Sequence, residues 1–178
     1  MLKFPKRKIL LNPGPLTTAQ RVKEALIVSD ICPRENEFGD LLAQIAHGLK
    51  RVVHAADDYE VVLFSGSGTA AVEATISSVV SDNEAILVLD NGAYGARMLQ
   101  IAKIHYAVNQ VFHIQLPHTD QFNLDKIESL LKLHPNIRHV AMVHHETTTG
   151  MLNAASDLLK LLNKYDVALI LDAMSSYA

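Results

Sequence analysis

The sequence predicts an α/β fold: a three-layer arrangement with a mostly parallel sheet and helices on both faces. Two observations carry this. Short apolar runs such as Ala85-Ile-Leu-Val-Leu89 and Val140-Ala-Met-Val143 alternate with stretches of helical period, and such alternation argues for a parallel sheet covered on both sides, with right-handed crossovers. Small or polar loops also follow these runs repeatedly, at the edge where open α/β sheets bind ligands.

In chain order, Asn12-Pro-Gly-Pro15 reads as a rigid turn, because proline fixes φ and glycine tolerates positive φ. Thr17-Thr-Ala-Gln20 has the form of a capping box before a helix with Val22, Ala25 and Leu26 on one face. A polar loop, Asp30 to Asn36, leads to a longer helix striped with Leu41, Ile45, Leu49 and Val52. Strands are expected at Val61–Phe64, Ala85–Leu89, Val108–His113, Val140–Val143 and Val167–Leu171, the last as a buried parallel strand. Helices are expected from Thr69 to about Val80, from Tyr94 to about His105, after a cap at Asn123, and from Ala154 to Lys164.

The composition is that of an ordinary globular chain: 178 residues, 49% apolar and 20% charged, enough for one domain with a sizeable core. A net charge of -3 gives no case for nucleic acid or an anionic membrane. The single cysteine, Cys32, has no internal partner, which fits a reducing cytosol and a cytoplasmic protein. No apolar stretch approaches the roughly 18 residues of a membrane span. Met1 to Lys8 is basic without a following apolar segment, as in a solvated arm.

Four loops can carry chemistry. Ser65-Gly-Ser-Gly-Thr69 lies between a strand and a helix, where small residues, free N–H groups and the hydroxyls of Ser67 and Thr69 make a phosphate cradle. The same residues read as a glycine-rich turn that binds nothing, or as a dinucleotide fingerprint formed by Gly66, Gly68 and Ala71, with Asp90 about 20 residues on. Tyr94, between small residues, can stack on a planar cofactor or pack at a helix start. His144-His-Glu-Thr-Thr-Thr-Gly150 offers threonine hydroxyls to a ligand oxygen, or else to its own backbone. His144 and His145 point to opposite sides of an extended chain, so no metal site is expected. Asp172, at the end of the last strand, can pair with a protonated ring nitrogen or cap the segment that follows.

Taken in register, Leu11–Thr18, Gly66–Thr69, Asn91–Met98, Ala141–Leu152 and Asp172–Ser176 resemble the class V aminotransferases, pyridoxal-phosphate enzymes of fold type I. Within that family they look like the 2-aminoethylphosphonate–pyruvate transaminases, and the loop Asp30–Glu35 looks like this phosphonate-processing branch. The resemblance implies that Ser67, Gly68 and Thr69 hold the phosphate of pyridoxal 5'-phosphate. Tyr94 would stack on its ring, with Met174 packing on the other face. Thr147 would bond the phenolic oxygen and Asp172 the pyridine nitrogen. Asn12, Pro13, Gly14 and Pro15 would line the substrate entrance, in a homodimer.

On this reading residues 1–178 form an incomplete cofactor-binding large domain, with 1–36 as N-terminal arm and active-site loop, and the small domain missing. The family's Schiff-base lysine lies beyond the strand-end aspartate, and Ala173 to Ala178 contains no lysine. Lys160 and Lys164 lie on or beside the polar face of a helix and do not replace it. The expected function is transfer of an amino group from 2-aminoethylphosphonate to pyruvate, giving phosphonoacetaldehyde and L-alanine, with this chain alone inactive. A non-catalytic assembly module of the same fold and a Rossmann-type nucleotide-binding domain stand as alternatives.

Overall fold

Alternation of side chains along the strands divides the core in two. In the computed structural model, which describes residues 9–12 and 14–177, β1 (Ala85–Asp90) is buried along its whole length. Leu87 and Leu89 join Val140 and Met142 of β3 (Ile137–Val143) on one face of the sheet, against Ile127, Leu131, Leu158 and Leu162. Ile86 and Val88 join Ala141 and Val143 on the other, against Ile76, Met98, Ile101 and Ala102. The first face is covered by α5 (Leu124–Leu133) and α6 (Ala155–Asn163), the second by α3 (Gly68–Val79) and α4 (Ala93–His105). The result is the three-layer α/β fold that the periodicity predicts.

The sheet has the order β2-β1-β3-β6, with β2 at Val111–Gln115 and β6 at Ala168–Asp172, and every pairing is parallel. The chain steps from β1 outward to β2, then returns across β1 to β3. The loops after β1 and β3 therefore diverge, which is the topological switch point where such sheets open a crevice. A short hairpin, β4 (His145–Glu146) and β5 (Met151–Leu152), follows β3. Its turn closes through Gly150, whose φ of 79° suits glycine.

The chain divides at Leu63, and the switch point belongs to the second unit, Phe64–Tyr177. The first unit contains α1 (Gln20–Glu24) and α2 (Asn36–Val52). The α2 stripe forms where expected, though Leu41, Ile45 and Val52 keep partial exposure. Among the described residues no helix is long and apolar enough to cross a membrane.

Four expectations need correction. The capping box does not form: Thr17 Oγ1 accepts from the Leu10 N–H at 2.7 Å, and α1 starts after Ala19 and ends before Ala25 and Leu26. Val61–Phe64 is not a strand, because no described strand pairs with it, and Val62, Leu63 and Phe64 are exposed. Val108–Gln110 forms a 3₁₀ turn, tied down by the Gln110 side chain, so β2 starts at Val111. β6 is an edge strand with exposed residues rather than a buried one, since only β3 pairs with it. The Asn123 cap is present: its Oδ1 accepts from the N–H groups of Asp125 and Lys126.

Candidate functional site

Three groups of residues converge at the C-terminal end of the parallel strands. The first is the start of α3. Ser67 is its N-cap, its Oγ accepting from the Ala70 N–H at 3.2 Å. The capping leaves the Ser67 hydroxyl proton free, along with the early N–H groups that have no partner inside a helix. Thr69 Oγ1 accepts from Arg97 Nη1 at 3.2 Å. The Met174 methyl lies against Gly68 where a Cβ would stand, so Met174 sits over the α3 start. A groove of about 480 Å³ continues from there between α3 and β6, with Thr75, Asp172 and Met174 in its lining.

The second group follows β1. Asp90 is 3% exposed, and its carboxylate is fully engaged. Oδ1 accepts from the Gly92 N–H at 3.1 Å, and Oδ2 lies 3.3 Å from His113 Nε2. An aspartate buried and bonded in this way is poorly placed to meet a ribose hydroxyl, which weakens the dinucleotide reading. Asn91 exchanges amide hydrogen bonds with Asn153, at 2.9 and 3.2 Å. Asn153 also donates to the Val143 carbonyl at 2.9 Å, which binds the diverging loops together. Tyr94 opens α4 and is 37% exposed, with the Arg97 guanidinium 5.3 Å from its ring centroid.

The third group follows β3 and β6. The hydroxyls of Thr148 and Thr149 are committed to the loop itself: Thr148 Oγ1 donates to the Glu146 carboxylate, and Thr149 Oγ1 to the Glu146 carbonyl. Thr147, half-buried, has no hydrogen-bond partner among the described residues. The loop thus satisfies itself through Thr148 and Thr149 and leaves the Thr147 hydroxyl uncommitted. Asp172 Oδ1 accepts from the Met174 N–H at 3.0 Å, a capping bond, while Oδ2 has no partner among the described residues. His144 and His145 are satisfied by Ser176 and Ser175, Nδ1 to Oγ at 2.9 and 3.1 Å. Asn12, Gly14 and Pro15 are exposed in the first unit, and Pro13 lies outside the described residues.

Sequence reasoning missed the residue that joins two of these groups. Glu146 is 0% exposed, and its Oε2 accepts from the N–H groups of Tyr94 at 3.0 Å and Gly95 at 3.4 Å. A carboxylate at the first turn of α4 satisfies orphan donors and the positive end of the helix dipole. Gly92 has no side chain because a Cβ there would overlap Glu146 Cγ and Cδ. The available signal was a lone acid between histidine and threonine, a pattern that does not announce a buried cap.

These groups fit pyridoxal phosphate. The α3 start offers hydroxyl and N–H donors to a phosphate. Asp172 Oδ2 and the Thr147 hydroxyl are uncommitted groups of the kinds that a ring nitrogen and a phenolate require.

The model of the class V aminotransferase family matches residues 20–178. The 2-aminoethylphosphonate–pyruvate transaminase of Vibrio cholerae is 43% identical over 171 residues, covering 95% of this chain and 46% of the relative. The Klebsiella pneumoniae enzyme of the same name is 39% identical over 170 residues, again covering 95% and 46%. The chain therefore spans about half the length of the curated relatives it matches. Among solved structures, an alanine–glyoxylate aminotransferase from Nostoc sp. superposes with a TM-score of 0.84 at 30% identity, covering 99% of this chain and 45% of that one. A pyridoxamine–pyruvate aminotransferase from Mesorhizobium loti, at 23% identity and a TM-score of 0.86, has the same fold over 99% of this chain and 45% of its own. The family implies pyridoxal 5'-phosphate as cofactor. With its family model matched from α1 to the last residue, and these groups collected at one end of its sheet, this chain belongs to the class V aminotransferases.

Proposed function

We propose that this chain provides the cofactor-binding part of a transaminase that moves the amino group of 2-aminoethylphosphonate to pyruvate, giving phosphonoacetaldehyde and L-alanine. The observation that carries the cofactor half of this reading is the pair of uncommitted groups, Asp172 Oδ2 and the Thr147 hydroxyl, at the same sheet end as the α3 N-terminus. The choice of substrates rests on the names of the relatives.

Pyridoxal phosphate, when bound, supplies an electron sink for the carbanion formed at the substrate carbon. The residues of this chain bind and orient. Ser67, Gly68 and Thr69 hold the phosphate at the helix N-terminus. The Asp172 carboxylate keeps the pyridine nitrogen protonated, because opposite charges favour both ionised forms. Thr147 would donate to the phenolic oxygen. Tyr94 and Met174 would pack against the ring and limit its contact with water. A tethering lysine, which the resemblance places beyond the strand-end aspartate, would complete the site. The working protein is a homodimer.

The test is an assay of the full-length protein. Alanine formed from pyruvate with 2-aminoethylphosphonate as donor supports the proposal. Turnover with other amines but none with this donor overturns the substrate assignment. Failure to bind pyridoxal phosphate overturns the cofactor reading as well.

A further inference from the structure

Arg97 is an exposed cation beside the start of α3. It lies three residues after Tyr94 on α4, and its guanidinium reaches across to Thr69 in the first turn of α3. The start of a helix carries partial positive charge and disfavours a second positive group. No carboxylate pairs with Arg97 among the described residues: its partners are the Thr69 hydroxyl at 3.2 Å and the Tyr94 ring at 5.3 Å to the centroid. Because Arg97 is exposed, its guanidinium is open to an anion bound at that helix N-terminus.

The direction of the Thr69 bond adds a second argument. A hydroxyl has one proton to give and two lone pairs to receive with, whereas a guanidinium only donates. Thr69 Oγ1 must therefore be the acceptor of this bond. One lone pair is then taken by a cation, and the Thr69 proton remains to be donated elsewhere. A threonine in this position would otherwise be able to turn its proton to a nearby carbonyl.

We infer that Arg97 is a positioning residue for the phosphate of the cofactor: by donating to Thr69 it makes that hydroxyl a committed donor to the anion. This rests on the cofactor reading above and assigns the preference for a phosphorylated ligand to the Arg97–Thr69 pair. Tyr94, which supports the guanidinium with its ring, links the phosphate end of the site to the ring end. Lysine would keep the charge but lose the planar fork that reaches oxygen and ring together.

Equilibrium binding of pyridoxal 5'-phosphate and of pyridoxal to the polypeptide tests this, and the ratio of the two affinities isolates the contribution of the phosphate. Arg97→Gln should reduce pyridoxal phosphate affinity by about tenfold, as for loss of a charge-assisted hydrogen bond, and leave pyridoxal affinity and circular dichroism unchanged. Arg97→Lys should restore part of the loss. Thr69→Val should match Arg97→Gln, and the double variant should be no worse than the single ones, because both remove the same donated bond. Undiminished phosphate preference in Arg97→Gln overturns the inference and leaves the proposed function standing. Losses that multiply in the double variant overturn it too, since Arg97 would then act without Thr69. A wild-type protein that binds pyridoxal as tightly as its phosphate overturns the inference and the α3 phosphate cradle together.

Discussion

Glu146 accepts the backbone N–H of Tyr94 at 3.0 Å across 52 positions of sequence, with no solvent contact of its own. This bond locks the loop after β3 to the start of α4, so that the two sides of the switch-point crevice move as one. Removing the carboxylate would leave the donors at Tyr94, Gly95 and Thr148, of which Gly95 is buried, without this acceptor. Glu146→Ala should lower unfolding stability by about 3 kcal/mol. Glu146→Gln, which keeps the shape but turns N–H groups toward N–H groups, should also destabilise. Urea denaturation midpoints check both, and unchanged midpoints would remove Glu146 from its bridging role.

The space at Gly92 is defined by the same side chain. Gly92→Ala forces a methyl into Glu146 Cγ and Cδ, and should cost about 2 kcal/mol. In the Glu146→Ala background most of that cost should vanish, because the obstructing atoms are gone. Additive losses in the double variant would show that the strain at Gly92 has another source.

The threonines of the hairpin should separate by function. Thr147→Val removes a hydroxyl with no partner among the described residues, so it should weaken pyridoxal phosphate binding with a stability change within about 0.5 kcal/mol. Thr148→Val removes a bond to buried Glu146 and should cost about 1 kcal/mol of stability. Parallel cofactor titrations and thermal melts check the pair. The reverse pattern would reassign the ligand contact to Thr148.

One carboxylate outside the site should shape the acid limb of stability. Glu84 lies below its ordinary value of 4.5, chiefly because the Ser81 backbone N–H bonds it, with His139 Nε2 also within 3.0 Å. A depressed folded pKa means that the folded state holds the proton less tightly than the unfolded chain does. The stabilisation is therefore complete above about pH 4.5 and is lost as pH falls through the folded value. Glu84→Gln should flatten melting temperature against pH in that acid window and leave the neutral plateau only slightly lower. An acid limb of unaltered slope would count against it.

The fold was legible wherever local pattern and tertiary demand agreed. Ala85–Leu89 and Val140–Val143 read as strands, and both lie inside the sheet, where an uninterrupted apolar run is what two covered faces require. Val61–Phe64 and Val167–Leu171 have the same composition, but a strand's neighbours are set by distant residues, and these two runs have none and one. The loops that could hold a cofactor were visible as small and polar residues after strands. What sequence could not show was which polar groups are already spent. Asp90, Thr148 and Thr149 are occupied internally, while Asp172 keeps one oxygen open and Thr147 its hydroxyl, and only coordinates separate these cases.

The Asn91–Asn153 amide exchange also bears on how this protein ages. Asparagine before glycine is the dipeptide in which ring closure to a succinimide is least hindered, since the glycine nitrogen attacks the neighbouring side-chain carbonyl. At Asn91 that carbonyl accepts from Asn153, and the Gly92 N–H is given to Asp90. The attacking and receiving atoms are each held by another partner, so the folded molecule protects its most vulnerable bond. Prolonged incubation should leave Asn91 intact in the native protein, and deamidation there should appear in peptide maps only when the loops after β1 and β3 come apart, which makes that residue a chemical clock for opening of the crevice.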